Sequence, residues 1–342
     1  DASGNCLGLL VEEARTNLVP YSEAFTQGNW DKVNTTITSN SAVSPDGQSN
    51  ASLVTVNSAS YGFVREFLTI SAAANTFSVF AKAGTTSSIQ LWFVQQGVTD
   101  GVASIDLSTG AVTGISGGWT GGVTTKYVGN GWYRIQGTRT FTASANNHGV
   151  GVAAIGQNGL NFYIYGAQLE TGSFPTSYIP TSGSAVTRAA DVASLAVSKF
   201  GYNQDQGSVV AYYSTADVTI LNELSFSDGT NNNRIMWALR TNSSRVPYIS
   251  AGGSATVQLQ NNAGLQSGVA AKVSFGFATN DVASSVNGQA VATDASAIIP
   301  SNISVLYFAA ATGDYAQING HIKSIQYYPL RLSNAQLQAL TV

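Results

Sequence analysis

Aromatic side chains set among glycines and amides carry the clearest chemical potential in this sequence. A pyranose ring has an apolar face that stacks on an aromatic ring, while nearby amides hydrogen-bond its hydroxyls. Trp119 lies in the segment GGWTGG, where no strand buries it easily, so it is either an exposed stacking platform or a loop anchor. Trp92 alternates with Leu91 and Phe93 on a predicted strand, and one face of that strand must point away from the core.

Four other aromatic residues divide into two groups. Trp237 and Tyr248 flank polar loops in the second half of the chain and are further candidates for sugar contacts. Trp30 and Trp132 adjoin β-type segments, and we expect them in the core.

One polar loop has the composition of a cation site. Residues 227–233 read SDGTNNN, and Asp228 and Asn231 offer the hard oxygen ligands that calcium prefers. The same composition is ordinary turn chemistry, so a hairpin loop without an ion is the alternative. No other cofactor is predicted.

The acidic residues give no signature of hydrolysis. Ordinary glycoside hydrolysis needs a pair of carboxyl groups, but the acidic residues here are mostly scattered singly, and the adjacent Glu12 and Glu13 would point to opposite faces of an extended chain. We therefore predict that the chain is not an enzyme. A polysaccharide depolymerase assembled from distant acids stays open as an alternative.

The bulk composition excludes several classes of partner. Charged residues make up 10% of the chain and the formal net charge is -3, so no basic field is present to collect the phosphates of nucleic acid. The single cysteine, Cys6, excludes an intrachain disulfide. No apolar run reaches the ~18 residues that membrane insertion requires.

Short β-type runs separated by Gly, Asn and Ser clusters predict an all-β fold of two consecutive antiparallel β-sandwich domains. Asn287-Gly288 is typical of a two-residue hairpin turn. One short C-terminal helix is predicted, capped by Ser333 and Gln336, with Leu337 and Leu340 packed on the last sandwich.

The length favours two domains. We assign residues 1–20 to an N-terminal connecting segment, 21–185 to the first sandwich and 186–342 to the second. Residues 172–191, which hold two prolines and many small polar residues, are interpreted as the junction. Because the sequence does not begin with Met, we expect it to be part of a longer protein.

Two motifs resemble those of bacteriophage tail fibres and other receptor-binding tail proteins. The first is GLLVEEARTNL at 8–18, followed by YSEAF at 21–25 and Trp30. The second is GAQLETG at 166–172, followed by TSYIPT at 176–181 and VTRAAD at 186–191. In that family the two motifs bracket a jelly-roll module similar to carbohydrate-binding modules.

The second half resembles a concanavalin A-like, laminin G-like lectin domain. The segments that carry this resemblance are Val286-Asn287-Gly288, GHIKSIQYYP at 320–329 and the terminal Leu332-Ser333 helix.

Together the resemblances imply the fold and a virion tail context outside the cell. Combined with the few charges and the aromatic residues in glycine-rich loops, they lead us to predict that the chain binds a neutral or weakly charged host-surface polysaccharide or lipopolysaccharide during host adsorption, without cleaving it. They also imply contact with other tail proteins and assembly as a homotrimer. A structural tail connector without glycan binding is the alternative.

Overall fold

In the computed structural model, residues 5–95, 100–142, 145–156, 158–216, 221–240, 244–259, 265–308 and 319–342 are described. They are mostly antiparallel strands, which confirms the predicted all-β fold. The strands in chain order are β1 Leu9–Val11, β2 Arg15–Asn17, β3 Trp30–Val33, β4 Thr35–Ala42, β5 Ala51–Val56, β6 Tyr61–Ile70, β7 Ala74–Ala83, β8 Ser88–Gln95, β9 Gly101–Asp106, β10 Ala111–Ser116, β11 Val123–Gly129, β12 Trp132–Thr140, β13 Ala145–Ile155, β14 Asn161–Thr171, β15 Val186–Arg188, β16 Ala193–Ala196, β17 Gln206–Thr215, β18 Leu221–Ser227, β19 Arg234–Arg240, β20 Ser244–Ala251, β21 Ser254–Gln258, β22 Ala271–Ala278, β23 Asp281–Val286, β24 Ala292–Asp294, β25 Val305–Phe308 and β26 Gly320–Tyr328.

A 3-10 turn at Val197–Lys199 and a helix, α1, at Asn334–Ala339 complete the described elements. Among the described residues, no helix combines the length and the apolar character needed to cross a bilayer.

The chain divides into two compact units whose limits differ from the predicted domains. Unit 1 includes Ala14–Ala189, and unit 2 joins Cys6–Glu13 to Ala190–Val342. Residues 1–20 are therefore not a simple connecting segment, because β1 pairs with β26 in unit 2 while β2 pairs with β15 in unit 1. The predicted junction at 172–191 lies mostly inside unit 1, for the reason given below.

Unit 1 is a sandwich of two six-stranded antiparallel sheets. One sheet has the order β10-β9-β8-β13-β6-β3, and the other has the order β11-β12-β7-β14-β5-β4. Alternate side chains of both sheets point inward and form one apolar core. Trp30, at 2% exposure, and Trp132, at 1%, are buried as predicted.

Unit 2 repeats this plan with different strands. Its sheets have the orders β1-β26-β17-β22-β23-β24 and β16-β25-β18-β19-β20-β21. The inner faces share a core rich in Phe, Val and Ile. Asn287, with φ 47°, and Gly288, with φ 73°, form the predicted turn, because both residues of such a hairpin need a positive φ.

The segments that carry the two sequence motifs interlock within unit 1 through buried polar side chains. Asn17 donates to the carbonyls of Ala167 at 3.1 Å and Ile179 at 2.9 Å, and its Oδ1 accepts from the amides of Val19 and Leu169, both at 3.1 Å. The side chain is fully buried, so each bond replaces one that water would otherwise make.

Gln168 and Glu170 extend the network to the segment that was predicted to be a junction. Gln168 Oε1 accepts from the amide of Ile179 at 2.7 Å, and Glu170 Oε2 accepts from the amide of Thr176 at 3.0 Å. These bonds satisfy the irregular backbone after β14 and hold it against unit 1. The segment therefore belongs to the first sandwich rather than linking the two.

The C-terminal helix forms as predicted. The Ser333 hydroxyl accepts from the amide of Gln336, and the Gln336 side chain accepts from the amide of Ser333, which completes a capping box. Leu337 is fully buried beside Ala283 and Leu332, whereas Leu340 is half-buried.

Asn17→Ala should lower the stability of unit 1 strongly. The substitution leaves four buried backbone groups without partners, and each costs about 1–3 kcal/mol, so we expect a total loss of roughly 3–5 kcal/mol after relaxation. Chemical unfolding followed by tryptophan fluorescence measures the loss. Thr16→Ala, on the same strand at an exposed hydrogen bond with Thr187, is the control and should cost under about 1 kcal/mol. Equal effects of the two substitutions would contradict the assigned role of Asn17.

Leu337→Ala should destabilise unit 2 more than Leu340→Ala. A fully buried leucine costs about 2–5 kcal/mol on truncation, and a half-buried one leaves a smaller cavity. Thermal unfolding of the two variants gives the comparison, and the reverse order would contradict the packing of α1.

Candidate functional site

The outward face of the unit 1 sheet that contains β6, β13 and β8 carries a row of aromatic rings. Tyr61 and Phe63 on β6 are stacked with centroids 5.7 Å apart and planes 4° apart. Phe63 and Trp92, which lies on β8, are 6.2 Å apart with planes at 26°. We call this surface the aromatic face.

Small residues on the central strand let these rings meet. Strand β13 runs between β6 and β8 and places Gly151 beside Arg65 and Trp92, and Ala153 beside Phe63 and Gln90. A Cβ on Gly151 would lie 2.4 Å from the carbonyl oxygen of Val64, closer than real contacts allow. Because Gly151 and Ala153 occupy little space above β13, Phe63 and Trp92 can meet across this strand.

Polar groups are fixed at the border of the rings on the β8 side. Trp92 Nε1 donates to Gln90 Oε1 at 3.0 Å, and Gln90 Nε2 donates to Ser104 Oγ at 3.3 Å. The amide is held in one orientation, and amide and hydroxyl groups beside half-buried rings are the pattern expected of a sugar-contacting surface.

A charged pair stands on the β6 side. Arg65 Nε donates to Asp31 Oδ2 at 2.9 Å, and the guanidinium carbon lies 4.2 Å from the Phe63 centroid and 4.8 Å from the Phe67 centroid. The pair is partly exposed, with 26% of the Arg65 side chain and 41% of the Asp31 side chain accessible. Cation–π contact on two sides restricts the arginine to this position.

Of the residues predicted from sequence, Trp92 lies on this face, as the alternation of its strand indicated. The sequence reasoning missed Tyr61, Phe63 and Arg65. Their signal is the alternation in YGFVREF at 61–67, where every second residue is large and Val64 and Glu66 point inward. The small residues of β13 gave a second signal.

Trp119 anchors its loop, with its ring half-buried against the core of unit 1. Its ring packs on the edge of Phe93 at 5.2 Å and lies over Gly137, where a Cβ would come within 2.3 Å of the indole. Trp119 Nε1 is buried without a hydrogen-bond partner among the described residues. Gly137, on β12 and outside the GGWTGG segment, makes room for the ring.

The two candidates in unit 2 do not form a comparable surface. Trp237 is 1% exposed and stacks on Phe275 at 5.9 Å inside the core, so it cannot meet a sugar. Tyr248 points away from that core and is half-buried, with the guanidinium carbon of Arg234 5.3 Å from its ring centroid.

Asp228 and Asn231 use their oxygens within the β18–β19 turn. Asp228 accepts from the amide and hydroxyl of Thr230 at 2.8 and 2.7 Å and from Asn233 at 2.8 Å. Although partial burial acts to raise the pKa of Asp228, these hydrogen bonds hold it below its ordinary value. Asn231 Oδ1 accepts from Arg234 at 3.1 Å. Across the described ranges, no group of three or more His, Cys, Asp or Glu side chains is placed to hold a metal, and calcium here stays a prediction.

Glu66 lies on β6 between the aromatic residues but faces inward. It is 2% exposed beside Trp30, and its Oε2 has no hydrogen-bond partner in the described part of the chain. Burial raises the pKa of this carboxyl to about 7, against a lowering by a hydrogen bond with Asn29.

Comparison with known proteins gives distant structural likeness alone. No protein-family model and no curated protein matches the chain. A Ruminococcus gnavus IT-sialidase CBM40 bound to α2,3-sialyllactose matches with 20% identity and a TM-score of 0.36, over 41% of this chain and 84% of that one. Mouse laminin α1 domains LG4-5 match with 9% identity and a TM-score of 0.32, over 97% and 92% of the two chains. The fold itself, two antiparallel β-sandwiches, rests on the strand pairing described above.

The prediction that the chain is not an enzyme is wrong, because an enzyme is among the structural matches. The sialidase of Trypanosoma rangeli matches in complex with DANA, with 12% identity and a TM-score of 0.31 over 85% of this chain and 60% of that one. The same enzyme matches in complex with sialic acid. At this identity and TM-score the match does not establish an activity for this chain.

The stability of unit 1 should fall as pH rises through neutrality. The folded pKa of Glu66, about 7, lies above its ordinary value of 4.5, so its contribution is fully present below pH 4.5 and is lost as pH rises through 7. After discounting for solvent screening, the loss is on the order of 2 kcal/mol, or a few degrees in melting temperature. Melting curves between pH 5 and 8 measure it, and Glu66→Gln should flatten the profile. A wild-type profile already flat over this range would mean that the carboxyl is hydrated.

Proposed function

We propose that this chain is a receptor-binding module of a bacteriophage tail and that it binds host-surface glycan through the aromatic face. The aromatic face is the observation that carries the proposal. A row of rings about 6 Å apart matches the scale of adjacent sugar units, and Gln90 and Ser104 offer hydrogen bonds to hydroxyls at its border.

The tail context is supported by the two sequence motifs and by the low charge of the chain. The glycan would be a polysaccharide or lipopolysaccharide of a bacterial surface, met outside the cell by the virion. Other tail proteins would hold the module, and a homotrimer would present three copies. Single sugar sites are weak because protein hydrogen bonds replace water bonds of similar strength, so three linked sites would raise the avidity.

Trp92→Ala should abolish most glycan binding and leave the fold intact. Loss of one stacked ring at the centre of a sugar site commonly costs over about 2 kcal/mol, equivalent to a roughly 30-fold weaker Kd. Binding of the intact chain to a bacterial glycan array and to host cells measures the effect. Tyr127→Ala is the matched control, because Tyr127 is an exposed aromatic residue, at 47%, on the other sheet of unit 1.

The two possible outcomes separate binder from connector. Loss with Trp92→Ala and retention with Tyr127→Ala supports the aromatic face as the binding surface. If the wild-type chain binds no glycan and does not compete with phage for host cells, the structural connector is the better description.

A further inference from the structure

Arg65 is held in a fixed position with part of its hydrogen-bonding capacity unused. Asp31 occupies Nε, and the rings of Phe63 and Phe67 lie 4.2 and 4.8 Å from the guanidinium carbon. Neither Nη1 nor Nη2 makes a hydrogen bond within the described residues. The side chain is 26% exposed, so a ligand on the aromatic face can reach it.

The Nη1 and Nη2 atoms of Arg65 lie on the same face of the sheet as the aromatic rings. Arg65 and Trp92 are both neighbours of Gly151, on opposite sides of β13, and Phe63 is two residues before Arg65 on the same face. A sugar that stacks on Trp92 and contacts the edge of Phe63 therefore brings its substituents beside the guanidinium. Two terminal nitrogens in one plane match the two oxygens of a carboxylate.

The negative charge of Asp31 affects which acidic group, a carboxylate or a phosphate monoester, Arg65 can bind. Its carboxylate neutralises much of the charge of Arg65 and lies at 2.9 Å from Nε, so a group with about two negative charges meets repulsion there. A single carboxylate loses less by this repulsion and gains the planar, two-point fit. The charge balance thus favours a carboxylate over a phosphate monoester.

We propose that Arg65 binds the carboxylate of an acidic sugar, of the uronic or sialic acid class, that lies on the aromatic face. This inference rests on the proposed function and narrows its ligand from bacterial-surface glycans in general to carboxylate-bearing ones. The sugar ring stacks on the aromatic residues, and the carboxylate accepts hydrogen bonds from Nη1 and Nη2.

The experiment compares glycans that differ only in their carboxylate. The intact chain is tested against oligogalacturonides and sialylated oligosaccharides, each as the free acid and as its methyl ester. A charge-assisted bidentate contact corresponds to roughly tenfold or more in Kd, so the wild type should prefer the acid of at least one pair by that factor. Arg65→Gln should reduce the preference to under about twofold. Arg65→Lys keeps the charge but loses the planar pair of donors, and should keep only a small part of the preference.

Each result separates this inference from the proposed function. Carboxylate recognition by the guanidinium is overturned if the wild type binds acid and ester equally, or if Arg65→Lys keeps the full preference for the acid. Glycan binding by the chain stands in both cases. If Arg65→Gln weakens acid and ester equally, Arg65 only supports the aromatic face, and the inference is likewise overturned. If Trp92→Ala has no effect on any glycan that the chain binds, the aromatic face itself is the wrong site.

Discussion

Unit 1 depends on the need to satisfy buried backbone groups where the regular hydrogen-bond ladder ends. Strand β14 is followed by a segment with two prolines, which cannot continue a sheet. Asn17, which lies on the N-terminal strand β2, and Gln168 and Glu170 on β14 supply side-chain partners for that segment. Through these bonds the two ends of the unit close on one another, and residues of the two sequence motifs act as structural parts.

With the ends of unit 1 closed over one sheet, the outward face of the other is where we propose that a ligand binds. The chemistry of this face follows from the difference in side-chain size between β13 and its neighbours β6 and β8. Because β13 offers glycine and alanine outward, the larger side chains of β6 and β8 lie across it and meet. Burying such rings beside Gln90 and Arg65 costs little, since each polar group retains a partner or water. The face combines apolar area with fixed donors, as a hydroxyl-rich ligand requires.

Unit 2 has the same layered plan but uses its aromatic residues differently. Trp237, Phe275 and Phe277 fill its interior, and α1 covers part of one outer face through Leu337. These three buried rings therefore stabilise the interior of the sandwich.

The sequence by itself determined the all-β class, the two-sandwich plan, the capped terminal helix and the burial of Trp30 and Trp132. These features rest on local rules: side-chain alternation, turn residues and a capping box act within a few positions. Only the tertiary structure decided which exposed-looking aromatic residues are exposed. Trp119 is packed down because Gly137, on a distant strand, leaves room for it, and Trp237 is enclosed by β22. Likewise, Phe63 and Trp92 become one surface only when β13 places small residues between strands about 25 positions apart in sequence. Contacts of this kind depend on which strands become neighbours, and no local pattern records that.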